Sequence, residues 1–250
     1  MKILDNKVAL ITGSSRGIGK AIAVRYAKLG ANIVVNYTSN QAAADEVVAL
    51  AEQYKVKAIS VKADVSKLEE INRLFETTIS NFGKVDIVVV NAGLELTGLS
   101  STDFTEAQFD RLFNTNTKGA FFTMQVAAKL VADSGKIIYV GSSTTGYPRP
   151  GYAIHGGSKM APLYLVRVMA QELGKRGITV NAIIPTAIEG AGLHTDVKED
   201  SPIKKFIAEF CPMGRMGTPE DVANVAEFFA SDLSSFVSGQ QLLISGGGIA

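Results

Sequence analysis

The sequence predicts an α/β protein: a doubly wound parallel sheet flanked by helices on both faces. Three observations lead there. Short apolar, β-branched runs recur along the 250 residues, segments with helical spacing separate them, and the first run ends in TGSSRGIG, residues 12–19, just ahead of a helical pattern. Strands buried on both faces read as continuous apolar runs. Their alternation with helices implies right-handed crossovers and parallel pairing.

The first strand is expected at 8–12 (VALIT), followed by a helix over 19–29. A second strand at 33–36 (IVVN) leads to a helix over 40–53, and a third at 58–61 (AISV) to a helix over 68–81. The fourth, 87–91 (IVVVN), precedes one long helix over 106–132. The fifth, 136–140 (KIIYV), precedes a helix over 156–175. After the sixth, 179–184 (TVNAII), the rhythm breaks: residues 185–217 carry Gly190, Gly192, Pro202, Pro212, Gly214 and mixed charge. That stretch is too long for an ordinary connection. Long loops at the strand ends of such a sheet carry function, so it is expected to act as a substrate lid. A helix over 219–230 and a strand at 241–244 (QLLI) complete the pattern. No repeat, low-complexity tract or linker divides the chain, so residues 1–250 are read as one domain.

Composition narrows the function classes. With 46% hydrophobic residues the chain has ample material for a core. Its 25 basic and 24 acidic residues give a net charge of +1, with no basic stripe for a phosphate backbone, so no nucleic-acid partner is expected. Cys211 is the only cysteine, which excludes an intrachain disulfide. Two histidines without a carboxylate cluster at ligand spacing give no metal site. No apolar run approaches the ~20 residues of a membrane span, and no leader pattern opens the chain. A soluble cytoplasmic protein acting on a small molecule is expected.

The glycine stretch gives the first chemistry. Glycines between a strand and a helix let the backbone turn tightly and approach a pyrophosphate, which the helix N-terminus holds through free N–H groups and its dipole. Gly13, Ser14, Ser15, Arg16, Gly17, Ile18 and Gly19 form this candidate cradle. The second strand ends in NYTSN, where an NAD site would place an acid for the ribose 2′-OH. Asn36, Tyr37 and Thr38 offer none. With Arg16 available for a charge-assisted hydrogen bond, a 2′-phosphate is favoured and NADP(H) is the expected cofactor.

The chain resembles the short-chain dehydrogenase/reductase family over nearly its whole length, and its ketoacyl reductase-like branch most. The resemblance rests on Thr12, Gly13, Gly17 and Gly19 in the glycine loop, Asp64 in ADV, and Asn91, Ala92 and Gly93 in the Asn-Ala-Gly turn. It also rests on Asn116 in NTNTKG, Ser142 in YVGSS and Lys159 in GGSK. It implies a Rossmann-like fold and a homotetramer with 222 symmetry. It also implies that Asp64, with Val65 beside it, meets the adenine, that Pro185 and Ile188 lie by the nicotinamide, and that Lys159 grips the nicotinamide ribose. The serine would orient a carbonyl, the asparagine would hold a water of a proton relay, and a tyrosine lowered in pKa by the lysine would donate the proton. Such a donor suits the chemistry, because hydride arriving at a carbonyl carbon builds negative charge on oxygen.

This sequence departs from that pattern where the tyrosine is expected. Counted thirteen residues beyond Ser142 or four before Lys159, the position is His155. Tyr152 is the nearest phenol, about one helical turn away if a helix has begun there. Four readings stay open. His155 is the general acid, an imidazole with an ordinary pKa of ~6.5, kept neutral by the Lys159 ammonium. Or the proton comes from water or Ser142 and the substrate is an iminium or a similar acceptor. Or the chain binds NADP(H) without turnover, as a sensor or partner subunit. Or a tyrosine was replaced deliberately. A second departure is PTAIEGAG, residues 185–192, in which Thr186 and Gly190 stand where the family has a glycine and a phosphate-binding threonine. Thr195 is the candidate substitute.

Substrate contacts are expected from Leu94, Glu95, Ser143, Thr144, Tyr147, Tyr152, Leu193 and His194. Glu95 is placed to attract a cationic amine or bind a polyol, but a solvated loop acid is the simpler expectation. Arg149 and Lys118 are too few to argue for an acyl-carrier-protein dock. Apolar residues on more than one face of the two long helices, Phe113, Phe121, Phe122, Met124, Leu163, Leu165 and Val168, predict covering by another subunit.

Overall fold

In the computed structural model, residues 2–248 are described apart from Val197 and Glu199. Seven strands form one sheet, all parallel: β1 (Val8–Ile11), β2 (Asn32–Tyr37), β3 (Ala58–Lys62), β4 (Ile87–Val90), β5 (Lys136–Val140), β6 (Thr179–Pro185) and β7 (Gln241–Ile244). Their order is β3-β2-β1-β4-β5-β6-β7. After β3 the chain crosses to the far side of β1, so connections leave β1 and β4 in opposite directions and a crevice opens at their C-terminal ends.

Helices α1 (Gly17–Lys28), α2 (Gln41–Glu52) and α3 (Leu68–Phe82) follow the first three strands. Then come α4 (Glu106–Phe113), α5 (Ala120–Leu130), α6 (Ala153–Glu172), α7 (Pro202–Phe210) and α8 (Pro219–Ala230). Alternate residues of each strand point to opposite faces, and this divides the core. Ala9, Ile11, Ile33 and Val35 pack with Ile22, Tyr26 and Phe229 under α1, α2 and α8. Leu10, Val34 and Val88 pack with Phe75, Met124 and Met169 under α3, α5 and α6. The buried Tyr26 hydroxyl donates to the Ala226 carbonyl at 2.7 Å, joining α1 to α8. No helix among the described residues is long and apolar enough to cross a membrane.

Three expectations are corrected. The helix expected over 106–132 is two helices joined by a π-helical stretch, Asn114–Gly119. Helix α6 begins at Ala153, earlier than expected, with Tyr152 as its N-cap residue and His155 in its first turn. The stretch 185–217 is not one long loop. Pro185 still belongs to β6, Gly192–His194 form a 3-10 turn, α7 follows, and Ile188 bridges to Gly217. In α7, Pro202 sits in the first turn, where its missing N–H costs nothing. Ile203, Phe206, Ile207 and Phe210 share one face at helical spacing, the signal that marks this helix in the sequence.

Candidate active site

One cleft runs along the C-terminal ends of the strands, with a volume of ≈ 2050 Å³. Of the candidate catalytic, cofactor and substrate-contact residues, all but Ser14 and Asn116 line it; Thr12 of the glycine-loop motif lies off it as well.

The glycine loop is held by its own backbone requirements. Gly13 has φ 62°, and a Cβ there would stand 2.9 Å from the Ala92 Cα. A Cβ on Gly19 would stand 2.6 Å from Asn91 Nδ2. The loop therefore lies directly on the Asn91–Ala92 turn. Asn91 Nδ2 donates to the carbonyls of Thr12 and Gly13 at 2.9 and 3.1 Å, and Thr12 Oγ1 accepts from the Asn91 and Ala92 amides, both at 3.0 Å. Ser14 is buried and supports the loop. Its hydroxyl donates to the Ile11 carbonyl at 2.7 Å and accepts from the Asn36 amide at 3.2 Å. The Asn36 side chain also faces inward: Oδ1 accepts from the Gly13 amide, while Nδ2 donates to the Val61 and Ala63 carbonyls. Tyr37 and Thr38 are left to line the cleft beside Arg16, which is exposed.

Helix α1 starts at the cradle with no acidic residue in its first turn and no side-chain cap. Its first N–H groups and positive dipole end are thus left for an anion. The site fits a dinucleotide: the glycines give close backbone approach, the helix end suits a pyrophosphate, and Asp64, whose Oδ1 accepts from the Ser66 amide at 2.9 Å, is held on the cleft wall. Thr195, the candidate substitute for the phosphate-binding threonine, donates its hydroxyl locally to the Gly192 carbonyl at 2.7 Å.

Asn116 is buried in the π-helical stretch, a geometry that often marks functional sites. Its Oδ1 accepts from the Leu94 amide at 2.7 Å, and its Nδ2 donates to the Leu94 carbonyl at 2.8 Å and to Ser158 Oγ at 3.0 Å. The side chain clamps the 93–95 loop to α6, and both of its donor hydrogens are used. A second tie was not visible in the sequence. Pro162 lies inside α6 and has no N–H for the Ser158 carbonyl one turn earlier. Thr117 Oγ1 donates to that carbonyl at 2.7 Å instead. The proline is tolerated because the π-helical stretch supplies the missing donor.

Ser142 ends the β5 connection, with Thr144 Oγ1 at 2.9 Å and the Thr144 amide donating to its oxygen at 3.3 Å. When the Thr144 hydroxyl donates as well, the Ser142 proton is free for a substrate oxygen. Lys159 is buried, donates to the Val140 carbonyl at 3.1 Å and lies 5.4 Å over the Tyr139 ring. Gly93 leaves room for it, since a Cβ there would come within 3.0 Å of Nζ. Burial lowers the Lys159 pKa to about 8, against an opposing pull from Glu95.

His155 is 2% exposed, and its Nδ1 is buried without a hydrogen-bond partner. Burial first, then the Lys159 ammonium, push its pKa below 6.5, while Glu95 and the Leu94 carbonyl oppose them. The ring is therefore neutral near pH 7, and the first turn of α6 reinforces this because a helix N-terminus disfavours a cation. Glu95 is an exposed loop acid, as the sequence suggests, and it also places Oε1 3.8 Å from His155 Nε2 and accepts from the Leu193 amide through Oε2 at 2.6 Å.

A glycine cradle, a clamped Asn-Ala-Gly loop and a serine, histidine and lysine in one cleft now stand beside comparison with known proteins. A family model described as enoyl-(acyl carrier protein) reductase matches residues 13–248. Hydroxynaphthalene reductase-like protein Arp2 of Metarhizium brunneum is 39% identical over 262 residues, covering 98% of this chain and 96% of that protein. Versicolorin reductase 1 of Dothistroma septosporum is 40% identical over 254 residues, with the same coverage. The chain belongs to the short-chain dehydrogenase/reductase family. A solved short-chain dehydrogenase/reductase from Serratia marcescens superposes with a TM-score of 0.92 at 31% identity, over 99% of this chain and 100% of that one. A dehydrogenase from Burkholderia cenocepacia with bound NADP gives a TM-score of 0.90 at 30% identity, over 99% and 94%. As a short-chain dehydrogenase/reductase the chain is an oxidoreductase that uses a nicotinamide dinucleotide.

Proposed function

We propose that this short-chain dehydrogenase/reductase reduces a carbonyl group with NADPH, with Ser142 orienting the oxygen, His155 donating the proton and Lys159 supplying positive potential. The observation that carries the reading is the convergence of these three side chains on the cleft that also holds the glycine cradle. When bound, the dinucleotide supplies the hydride. The chain supplies the rest. Ser142 donates a hydrogen bond to the carbonyl oxygen, the single ring N–H of neutral His155 passes its proton there as charge grows while the ring recovers one from solvent at its other nitrogen, and the buried Lys159 ammonium strengthens both effects in a site of low dielectric. Asn116 holds the loop that carries Gly93 and Glu95, and so keeps Lys159 in place.

NADP(H) is preferred in this reading because Arg16 is exposed on the cleft wall and residues 36–40 hold no carboxylate. The substrate is a ketone or β-keto compound on an apolar, flat frame. Tyr147, Tyr152, Leu193, Phe206, Phe210 and Met213 line the outer cleft, and the relatives are named for reducing hydroxynaphthalenes and versicolorin. The lid falls within residues 185–217, at the 192–194 turn and α7. The experiment is NADPH consumption over ketones, β-ketoacyl thioesters, quinones and cyclic imines, with NADH in parallel. Turnover of a bicyclic aromatic ketone is expected, with NADPH favoured by about tenfold or more, the worth of one charge-assisted hydrogen bond. Silence across the panel from protein that binds NADPH would leave a dinucleotide-binding module, and equal use of NADH would remove the role of Arg16.

A cytoplasmic homotetramer belongs to the same reading. Phe121 on α5 and Met160 and Tyr164 on α6 are exposed, the last at 72%. Light scattering should give four times the 26.5 kDa chain mass, and a monomer at all concentrations would refute it.

A further inference from the structure

We propose that Glu95 is a positioning residue that joins His155 to the lid, so that seating of the 192–194 turn and orientation of the imidazole are one event. This rests on the reading of His155 as the proton donor for its consequence in catalysis, but the linkage itself is structural and is tested without turnover.

The two oxygens of one carboxylate meet two different elements. Oε1 faces His155 Nε2 on α6 at 3.8 Å, and Oε2 accepts from the Leu193 amide at 2.6 Å. The contact at Leu193 is built closely. Gly192 has φ 54°, and a Cβ on it would collide with the Glu95 carboxylate. Only a glycine lets the turn reach the acid in this conformation. The turn closes on itself through the His194 amide to the Ala191 carbonyl and the Gly190 amide to the His194 carbonyl, both at 2.9 Å, so Leu193 is not free to drift while its neighbours stay.

Among the described residues, Glu95 is also the only carboxylate of the charged groups that act on the imidazole. Lys159 acts from the same helix, and the Leu94 carbonyl and Glu95 from the loop after β4. His194, across Glu95 on the turn, is itself lowered in pKa by burial and feels the same carboxylate. Burial and Lys159 drive the proton off His155, and Glu95 is the charge that opposes them. At 3.8 Å the pair is longer than a hydrogen bond of about 2.7–3.2 Å, as befits a site whose contacts tighten only around substrate. If the turn lifts, the carboxylate loses its amide donor and is free to swing from the ring. If the turn is seated, the acid is held against the imidazole while the cleft is shielded, so the donor is set when water is excluded.

The test uses full-length protein and the variants Glu95→Gln and Glu95→Ala, with the imidazole followed by NMR titration and the backbone amides by hydrogen exchange. Two results are expected. The His155 titration midpoint moves to lower pH in both variants. Exchange at the Leu193 amide speeds up roughly tenfold or more, as loss of a hydrogen bond to a charged group implies, while the β-sheet amides keep their protection. An unmoved His155 titration, or unchanged exchange at Leu193 in folded Glu95→Ala, overturns the linkage. Failure of His155 as the acid reads differently: both shifts then occur, but kcat stays insensitive to His155 replacement.

Discussion

Replacing His155 by phenylalanine is expected to lower kcat for ketone reduction by about 10²- to 10⁴-fold, the range that a positioned general acid contributes. The ring position is 2% exposed and Phe is of similar shape, so the packing of α6 should survive and dinucleotide affinity should be little changed. Only the exchangeable proton is lost. The same variant reads stability. Folded His155 titrates below its unfolded value of 6.5. The unfolded chain therefore binds the proton first as pH falls, and stability present above 6.5 declines toward the folded pKa. His155→Phe should lose this acid-side decline, seen as a flatter dependence of Tm on pH. A kcat within threefold of the parent across the pH profile would sink the role and send the proton's source to water or Ser142. His155→Tyr separates the remaining case. Silence in the parent with turnover in that variant would mean that the histidine disables a reductase that is otherwise intact.

The sheet was legible because its physics is local. Seven short apolar runs read as buried strands, and all seven are strands within a few residues at their ends, although the edge strand β7 is exposed or half-exposed along its length. The cradle was legible for the same reason: a strand, glycines and a helix in succession leave few alternatives. What the sequence hid depends on contacts between distant residues. Residues 106–132 have unbroken helical spacing, and the π turn at 114–119 appears only because Asn116 and Thr117 bond to Leu94 and Ser158 across a gap in sequence. The early start of α6 hides behind Gly151, Gly156 and Gly157, which argue locally for a later one. Helix α7 was masked by Pro202 in its own first turn and by Pro212 and Gly214 beyond its end, although its apolar spacing was there to count. Ser14 and Asn36 were named as cofactor contacts by their place in the motif, and their side chains also bond within the fold, Ser14 to the Ile11 carbonyl and Asn36 to the Gly13 amide, because the glycine loop needs side-chain support for its own backbone.

Lys159→Met should lower kcat/KM by at least about 10²-fold, comparable with removing one preorganised donor from an oxyanion site, and should make the protein more stable at neutral pH. The two effects have one cause. A buried ammonium near one carbonyl, with a pKa lowered by burial from 10.5 to about 8, is held charged at a cost. Between about 8 and 10.5 the unfolded chain binds the proton that the folded chain has lost, so stability rises with pH across that window. Below it, both states are protonated and the cost is present in full. That drop corresponds to about 3 kcal/mol at ~1.4 kcal/mol per pH unit, an upper bound on what methionine recovers, because methionine fills the stem's volume but gives up the bond to Val140. In activity the sign is opposite. The charged lysine is the competent form for reduction, so kcat/KM, which reports ionisations of the free enzyme, should fall above about pH 8 in the parent and show no such limb in Lys159→Met. A limb near pH 8 that survives in the methionine variant would assign that ionisation to another group, and an unchanged or lower Tm at neutral pH would show that the ammonium is well compensated where it lies. A variant that is more stable and nearly inactive is the outcome that a charge buried for catalysis requires.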